Sequence, residues 1–447
     1  MRNFFVWFAL YYLRFFARLS LFINRPKVIG ITGSVGKSSA RNVVYAILKD
    51  HFSVKMIKEG NSETGIPLGI LGLDPGNYQL IDWIIIIILS PFKIFYLAGI
   101  KILIVEMGVD SPYPPKNMDY LLTIVKPDIS IILNVYPVHT MQFDQVVDKN
   151  LTGEIRLKSI LTRITEEKIK IITKAKPKIG IFNENIASYN LRGCIGTELI
   201  TFGKSKNAKI ILLDYQVDFK GTNFVFQFKN EEIKIYINKF ILPQVYSEVL
   251  GASFLVAKTL GLKNDQIISA LEKNFSLPAG RSTIFPGIRN STIIDSSYNA
   301  SRAPFLTFIE TASYLAKKEN RPLVVLMGDM RELGREAEQE HKIIAEALKK
   351  TGVNYFYCVG ELTKKYVLPE VSKSVKGSKW FENSIKLGEY LKTSLPYHSV
   401  VLVKGSQNTI FLEEAIKFIL QDKKDEKKLC RQNDFWLGKK KSFFQGV

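Results

Sequence analysis

The residues of this chain whose types and spacing most directly imply chemistry are Gly33-Ser34-Val35-Gly36-Lys37-Ser38-Ser39. Glycines let the main chain wrap closely round phosphates, and the amides of an opening helix add positive potential. Lys37 would neutralise the β- and γ-phosphates of a nucleotide, and the Ser38 hydroxyl would bind Mg²⁺. The strict P-loop pattern asks for glycine at position 31, where this chain has Ile31; Gly30 lies one residue earlier. A second candidate is Glu106, which closes the apolar run Ile102–Glu106. Ligands in open α/β sheets gather where strands end, and a carboxylate there can hold Mg²⁺. A third is His139, one of four histidines. Its residue type alone points more to a structural role than to a ligand.

These groups need a scaffold. Lys27–Thr32 reads as a strand and Ser38 to about Leu48 as a helix, with Val43, Val44, Ala46 and Ile47 on one side. Strand, glycine turn and helix open an α/β nucleotide-binding unit. Short Val/Ile runs at Ile102–Glu106, Ile129–Asn134 and Lys178–Asn183 suit a parallel sheet covered on both faces. Residues 208–240 alternate like antiparallel strands. Helices are expected at Val245–Leu260 and Asn264–Lys273, and a second α/β pattern restarts after Ser276, with strands at Ser291–Asp295, Pro322–Met327, Tyr355–Val359 and Ser399–Lys404. The fold class is therefore α/β: a P-loop central domain with a mostly parallel sheet, then a Rossmann-like C-terminal α/β domain. The boundaries are 1–26 for a basic aromatic N-terminal helix, 27–275 for the ATP-binding domain, 276–420 for the C-terminal domain and 421–447 for a basic tail.

The 447 residues give room for two or three full cores. A net charge of +20 would suit nucleic acid, an anionic membrane or polyanionic small substrates. No zinc-finger, RNP-like or helix-turn-helix pattern accompanies it, so nucleic-acid binding is not expected. Cys194, Cys358 and Cys430 have no CxxC spacing and read as reduced thiols. Residues 1–24 carry aromatics, leucines and Arg2, Arg14 and Arg18, with no acid before Asp50. The uncharged run Phe4–Leu13 is too short to span a bilayer. Two readings stand for this segment: a helix lying in the cytoplasmic membrane interface, or a helix packed on the protein's own core. Trp83–Leu89 (WIIIIIL) reads as core or as membrane-facing surface.

Taken in order, further segments resemble the motifs of the Mur ligase family from about residue 27 to 420. The loop is similar to the family's GT-x-GK-T/S form. Gly60-Asn61-Ser62-Glu63-Thr64-Gly65-Ile66-Pro67-Leu68 resembles its GN-x-N-x-x-G-x-PL segment, and Val105-Glu106-Met107-Gly108 its EMG strand end. Lys126-Pro127-Asp128, with Asn134 and His139 after it, looks like KPD…TN…AH. In the second half Gly280-Arg281, Asp295-Ser-Ser-Tyr298-Asn299-Ala300, Gly328-Asp329-Met330-Arg331-Glu332-Leu333-Gly334 and Val403-Lys404-Gly405-Ser406 resemble GR, DDxYNANP, GDMxELG and VKGS. The third and the YNA segment point to the D-alanyl-D-alanine-adding branch.

The resemblance implies an ATP-dependent, ADP-forming carboxylate–amine ligase working through an acyl phosphate, with ATP and two Mg²⁺ ions. Residues 33–39 would hold the nucleotide with Arg281, Asp295 and Asn299. Ser38, Glu106, His139 and a carbamylated lysine would hold metal. Lys168 is the match for that lysine, with Lys158 its competitor. Lys37, Lys168, His139, Arg281 and Asp295 are the implied catalytic set, and Asn61, Tyr298, Asn299, Glu332, Lys404 and Ser406 the substrate contacts. Domain closure would exclude water. The implied partners are a peptide or nucleotide-sugar-peptide acceptor and an amino-acid or dipeptide donor, for a monomer in the cytoplasm or on the inner membrane face. A different carboxylate acceptor, or a catalytically weak nucleotide-binding protein at the membrane surface, are the alternatives. Two departures matter: the family's HNxxNxLAA helix has Gln244 and Glu248 at its His and Asn positions, and the usual N-terminal sugar-nucleotide domain is replaced by the short aromatic segment.

Overall fold

The computed structural model describes residues 2–58, 60–76, 79–138, 140–186, 191, 194–406 and 409–445. They divide into two compact units. The first comprises Met1–Asp214, Phe224–Ile235 and Ser247–Ser276; the second comprises Tyr215–Asn223, Tyr236–Tyr246 and Leu277–Val447.

A nine-stranded sheet is built from β1 (Lys27–Thr32), β2 (Val54–Met56), β3 (Ile102–Glu106), β4 (Ile129–Ile132), β5 (Ile179–Asn183), β6 (Glu198–Gly203), β7 (Ile210–Val217), β8 (Gly221–Phe228) and β9 (Glu231–Asn238). The order is β2-β3-β1-β4-β5-β6-β7-β8-β9. Pairing is parallel from β2 through β7. The turns joining β7, β8 and β9 are too short for parallel crossovers, so these strands run antiparallel. The central strands are β-branched and buried along nearly their whole length, as sheets covered on both faces require. Leu103, Val105, Leu121, Ile132, Ile160 and Phe182 pack between sheet and helices. Because β1 lies between β3 and β4 with Ile31 opposite Glu106, the glycine loop and Glu106 emerge side by side.

The second unit holds a six-stranded sheet of β10 (Thr283–Gly287), β11 (Ser291–Ser296), β12 (Leu323–Gly328), β13 (Tyr355–Val359), β14 (Gly377–Phe381) and β15 (Val400–Lys404), in the order β10-β11-β15-β12-β13-β14. Only the β10 pairing is antiparallel. Placing β15 between β11 and β12 gathers the ends of three sequence-distant strands. Val324, Leu326, Val401, Val403, Leu391 and Ile416 fill its core.

Two segments show how their apolar residues are placed, and a third differs from the expected tail. Trp83–Leu89 lies within the helix Leu80–Leu89, whose only buried residue is Ile86. The N-terminal helix Arg2–Asn24 buries one stripe, Leu10, Leu13, Ala17 and Ser20, and leaves the opposite face open. The basic C-terminal segment is folded through residue 445, with a helix at Asp434–Gln445. Its Arg431 guanidinium donates to Glu413 at 2.8 and 2.7 Å, and Lys440 to Glu414 at 2.7 Å, all within the buried interior.

Candidate active site

In the first unit the loop leaves β1 at Thr32 and enters the helix Lys37–Leu48. Gly36, at the helix N-cap, has φ +84°, a left-handed conformation that a side chain would strain. Among the described residues no side chain makes a cap hydrogen bond at this helix start, and a helix N-terminus favours an anion. The loop is held from outside. Asn134, two residues beyond β4, accepts from Val35 N through its Oδ1 at 2.9 Å, and Ser34 Oγ donates to Tyr136 O at 3.0 Å. Tyr136 N in turn donates to Ser34 Oγ at 2.9 Å. Ser34 is thus occupied with fixing the loop's shape.

Two lysines converge beneath it. Lys37 Nζ donates to Gly33 O at 2.9 Å, and Lys168 Nζ, from the helix Gly153–Thr173, donates to the same oxygen at 3.2 Å. Lys168 is almost wholly buried, 1% exposed. Burial first, then the charge of Lys37, hold its amine down at about 7, while Asp110 and Glu167 oppose the shift. Lys158, on the same helix, is exposed to solvent.

Glu106 is buried at the end of β3. Its Oε1 accepts from Asn61 Nδ2 at 3.0 Å, and its Oε2 lies 3.4 Å from Arg41 Nη1. Asn61 is anchored in turn, since its carbonyl accepts from Gly108 N at 2.7 Å. Among the described residues no group of three His, Cys, Asp or Glu side chains is arranged around a metal position. A Mg²⁺ ion carried in on phosphates and keeping its waters needs only one or two protein oxygens. The hydroxyl of Ser38 and the carboxylate of Glu106 fit that kind of ion. His139 lies outside the described residues.

Glu248, at a motif position where the family carries asparagine, belongs to the same neighbourhood. Asn134 Nδ2 donates to it at 2.7 Å and the Tyr136 hydroxyl at 3.1 Å. Burial pushes its carboxyl up to about 7 against these hydrogen bonds. Arg41, Tyr136 and this use of Glu248 were not anticipated from the sequence. Arg41 was findable, because it stands four residues after Lys37 on one helix face. The pairing of Glu248 with residues 112 and 114 positions away carries no local signal.

In the second unit Asp295 and Lys404 lie on neighbouring parallel strands, Asp295 opposite Val403 and Ser296 opposite Lys404. Asp295 Oδ1 accepts from Ser297 N at 2.9 Å, while its buried Oδ2 has no hydrogen-bond partner among the described residues. Burial pushes this carboxyl up to about 6, with the Glu413 charge adding and Ser297 and Arg431 opposing. Lys404 Nζ donates to Ser296 Oγ at 3.1 Å and Asn299 O at 3.0 Å. Burial, with the nearby Arg281 charge, lowers it to about 7, and Asp295 opposes. The Arg281 guanidinium stacks 4.5 Å from the Tyr298 ring centre, and Arg431 fixes the same turn by donating to Tyr298 O at 2.9 Å. Ser406 ties two more segments together: its amide donates to Asp329 O at 3.1 Å and its hydroxyl accepts from Arg331 N at 3.1 Å. Glu332 is exposed in a left-handed turn of φ +63°. Asp329 caps the helix Glu361–Tyr366, accepting from Thr363 N at 2.8 Å. The structure thus gathers Arg281, Asp295, Tyr298, Asn299, Lys404 and Ser406 around one set of strand ends.

A family model described as the Mur ligase middle domain matches residues 31–241, and one described as Mur ligase, glutamate ligase domain, matches residues 280–407. A protein of Buchnera aphidicola subsp. Baizongia pistaciae named UDP-N-acetylmuramoyl-tripeptide–D-alanyl-D-alanine ligase is 25% identical over 398 residues, covering 87% of this chain and 75% of that protein. The Rickettsia prowazekii protein of the same name is 25% identical over 390 residues, covering 86% and 76%. Among solved structures, the MurF ligase of Thermotoga maritima in complex with ADP matches with a TM-score of 0.71 at 23% identity, covering 93% of this chain and 84% of that one. At that identity the likeness is one of fold.

Proposed function

The chain belongs to the Mur ligase family of ATP-dependent, ADP-forming amide ligases, and we propose that it joins D-alanyl-D-alanine to the peptide of a cell-wall precursor. The convergence of Lys37 and Lys168 on the carbonyl of Gly33, beside an uncapped helix N-terminus, is the observation that carries this reading. Lys37 and the helix amides supply the positive potential that holding a triphosphate requires, and Lys168 is set against the same loop carbonyl. The names of the two quarter-identical relatives support the choice of donor and acceptor.

The loop amides and Lys37 bind the triphosphate and balance charge that builds on the γ-phosphoryl oxygens. The acceptor carboxylate oxygen attacks the γ-phosphorus, the bond to the β-phosphate oxygen breaks, and ADP and an acyl phosphate result. The donor amine then attacks the acyl carbon, inorganic phosphate leaves, and the amine loses its proton. Mg²⁺, when bound through Ser38 and Glu106, supplies positive charge that neutralises phosphate oxygens. His139 is proposed as a further ligand. Lys168, its amine neutral above about pH 7, can take up CO₂ as a carbamate and so place an anion in the site. In the second unit Asp295, Lys404, Arg281 and Tyr298 are proposed to meet nucleotide and substrate. Residues 1–24 are proposed to keep the enzyme at the cytoplasmic face of the membrane.

The test is phosphate release measured with the UDP-linked tripeptide precursor and D-alanyl-D-alanine, each alone and together, with the product weighed by mass spectrometry. Release that requires both, matched by amide product, is expected. Release with the dipeptide but only on another carboxylate acceptor would move the assignment to a related ligase. Hydrolysis indifferent to every acceptor would overturn it.

A further inference from the structure

Seventeen of the 28 large apolar side chains left exposed among the described residues fall in two short segments, the N-terminal helix and residues 80–96. We propose that these segments form one docking surface for a bilayer containing anionic phospholipid, which rests on the membrane-face reading above and extends it to a second element. On the N-terminal helix the open stripe is Phe8, Tyr11, Phe15, Arg18 and Phe22, spaced at three and four residues. On the helix Leu80–Leu89 it is Ile81, Ile84, Ile85 and Ile88, in the same spacing. An isoleucine helix that buries only Ile86 is a poor surface for water. The following turn adds Phe92 and Phe95, 76% and 61% exposed.

The two segments are one piece. The Tyr12 hydroxyl donates to Ile87 O at 3.0 Å, and Asn24 Nδ2 donates to Ile94 O at 2.7 Å. Leu13 and Phe16 share a small core with Trp83, Ile86 and Ile94. Tyr12, which makes the bond to Ile87, lies between Phe8 of the open stripe and the half-buried Phe16, with ring centres 5.9 and 4.8 Å away. The N-terminal helix is long and apolar enough to cross a membrane. Its buried stripe and both hydrogen bonds to the neighbouring segment hold it lengthwise on the first unit instead.

Charge selects the occupant. Residues 1–27 and 83–101 contain Arg2, Arg14, Arg18, Arg25, Lys27, Lys93 and Lys101 and no Asp or Glu. Asp82, the one acidic residue within residues 80–96, turns back to accept from Gln79 N at 2.9 Å. The Arg14 guanidinium lies over Tyr11 at 4.4 Å and that of Arg25 over Phe22 at 5.4 Å, so cations edge the aromatic stripe as at a lipid headgroup boundary. A second copy would bring like charge against like charge. Anionic headgroups over acyl chains complement both parts.

The experiment is co-sedimentation of the full chain with vesicles of phosphatidylcholine, with and without phosphatidylglycerol. The native chain, Phe8→Ser/Phe15→Ser and Ile84→Ser/Ile88→Ser are compared, with ATP-dependent phosphate release as the control for folding. Binding should be stronger with phosphatidylglycerol and weaken with salt, and each double variant should lose affinity about tenfold or more while turnover is unchanged. Full binding by Ile84→Ser/Ile88→Ser, with loss only in Phe8→Ser/Phe15→Ser, would overturn the composite surface and leave the N-terminal helix as the sole anchor. A native chain that ignores both vesicles, or that forms a dimer broken by Ile84→Ser/Ile88→Ser, would overturn the membrane reading as well. Binding that resists alkaline carbonate would mean a crossing helix and would also overturn the surface.

Discussion

The amine of Lys168 donates to the carbonyl of Gly33 at 3.2 Å, and the amine of Lys37 reaches that same oxygen at 2.9 Å. Two ammonium groups cannot share one carbonyl in a buried pocket without mutual cost, and the lysine that is deeper loses its proton more easily. Lys168→Met should lower turnover on the order of 10²-fold or more. Lys168→Arg should not restore it, because guanidinium stays charged and forms no carbamate. Incubation with ¹³C-bicarbonate should give a carbamate signal in the native chain, rising as pH passes about 7 and absent in both variants. Normal turnover in Lys168→Met together with no signal would remove Lys168 from the chemistry.

Lys37→Ala removes a half-buried charge from the loop without opening the core. The melting temperature should stay within a few degrees of native, while turnover falls on the order of 10²–10³-fold. Calorimetric titration with ADP should show correspondingly weaker binding. A folded variant with near-native turnover would end the phosphate-loop assignment.

Glu106→Gln separates two roles. The amide can keep the contact with Asn61 but no longer balances Arg41, whose guanidinium lies 3.4 Å away with both side chains under 10% exposed. Removing one partner of a buried pair is destabilising, here by at most about 3 kcal/mol because Arg41 still donates to Ile57 O and Lys58 O. The ligand-free protein should therefore melt several degrees lower, and the Mg²⁺ needed for half-maximal turnover should rise. A lower melting temperature with an unchanged Mg²⁺ titration would make Glu106 a structural partner of Arg41 only.

What could be read in advance follows from how far each relationship reaches along the chain. The glycine loop, its helix and Glu106 were legible because a tight phosphate turn and a buried strand end are written in contiguous residues. Asp295 and Lys404 were legible as strand ends, yet their adjacency depends on β15 inserting between β11 and β12. Glu248 stood out only as a departure, and its bonds to Asn134 and Tyr136 needed the fold. Leu80–Leu89 has no polar periodicity to distinguish core from surface, so both readings stood until the fold left all but Ile86 unburied. The C-terminal segment reads as a solvated basic tail until Glu413 and Glu414 are seen beneath Arg431 and Lys440.

Asp295 offers a prediction in which stability and activity move in opposite directions. Its carboxyl is fully buried, with Oδ2 unpartnered, and is held near 6 against an ordinary 3.8. The folded chain therefore binds more protons than the unfolded chain between those values, and native stability falls as pH rises through that window. Above about pH 6 the full burden of the buried charge is present. Asn at this position does not titrate, so Asp295→Asn should be more stable than native at pH 7.5, by less than about 3 kcal/mol. The gain is reduced because Lys404 loses the one nearby charge that opposes its own deprotonation. Near pH 4 the two proteins should melt almost together. Phosphate release by the variant should nevertheless fall on the order of 10²-fold at pH 7.5, where the native carboxyl is ionised. Thermal denaturation at both pH values, paired with the turnover assay, checks this. A variant that melts lower than native at pH 7.5 would mean that Asp295 is held by contacts stronger than its burial, and unchanged turnover would take it out of the site.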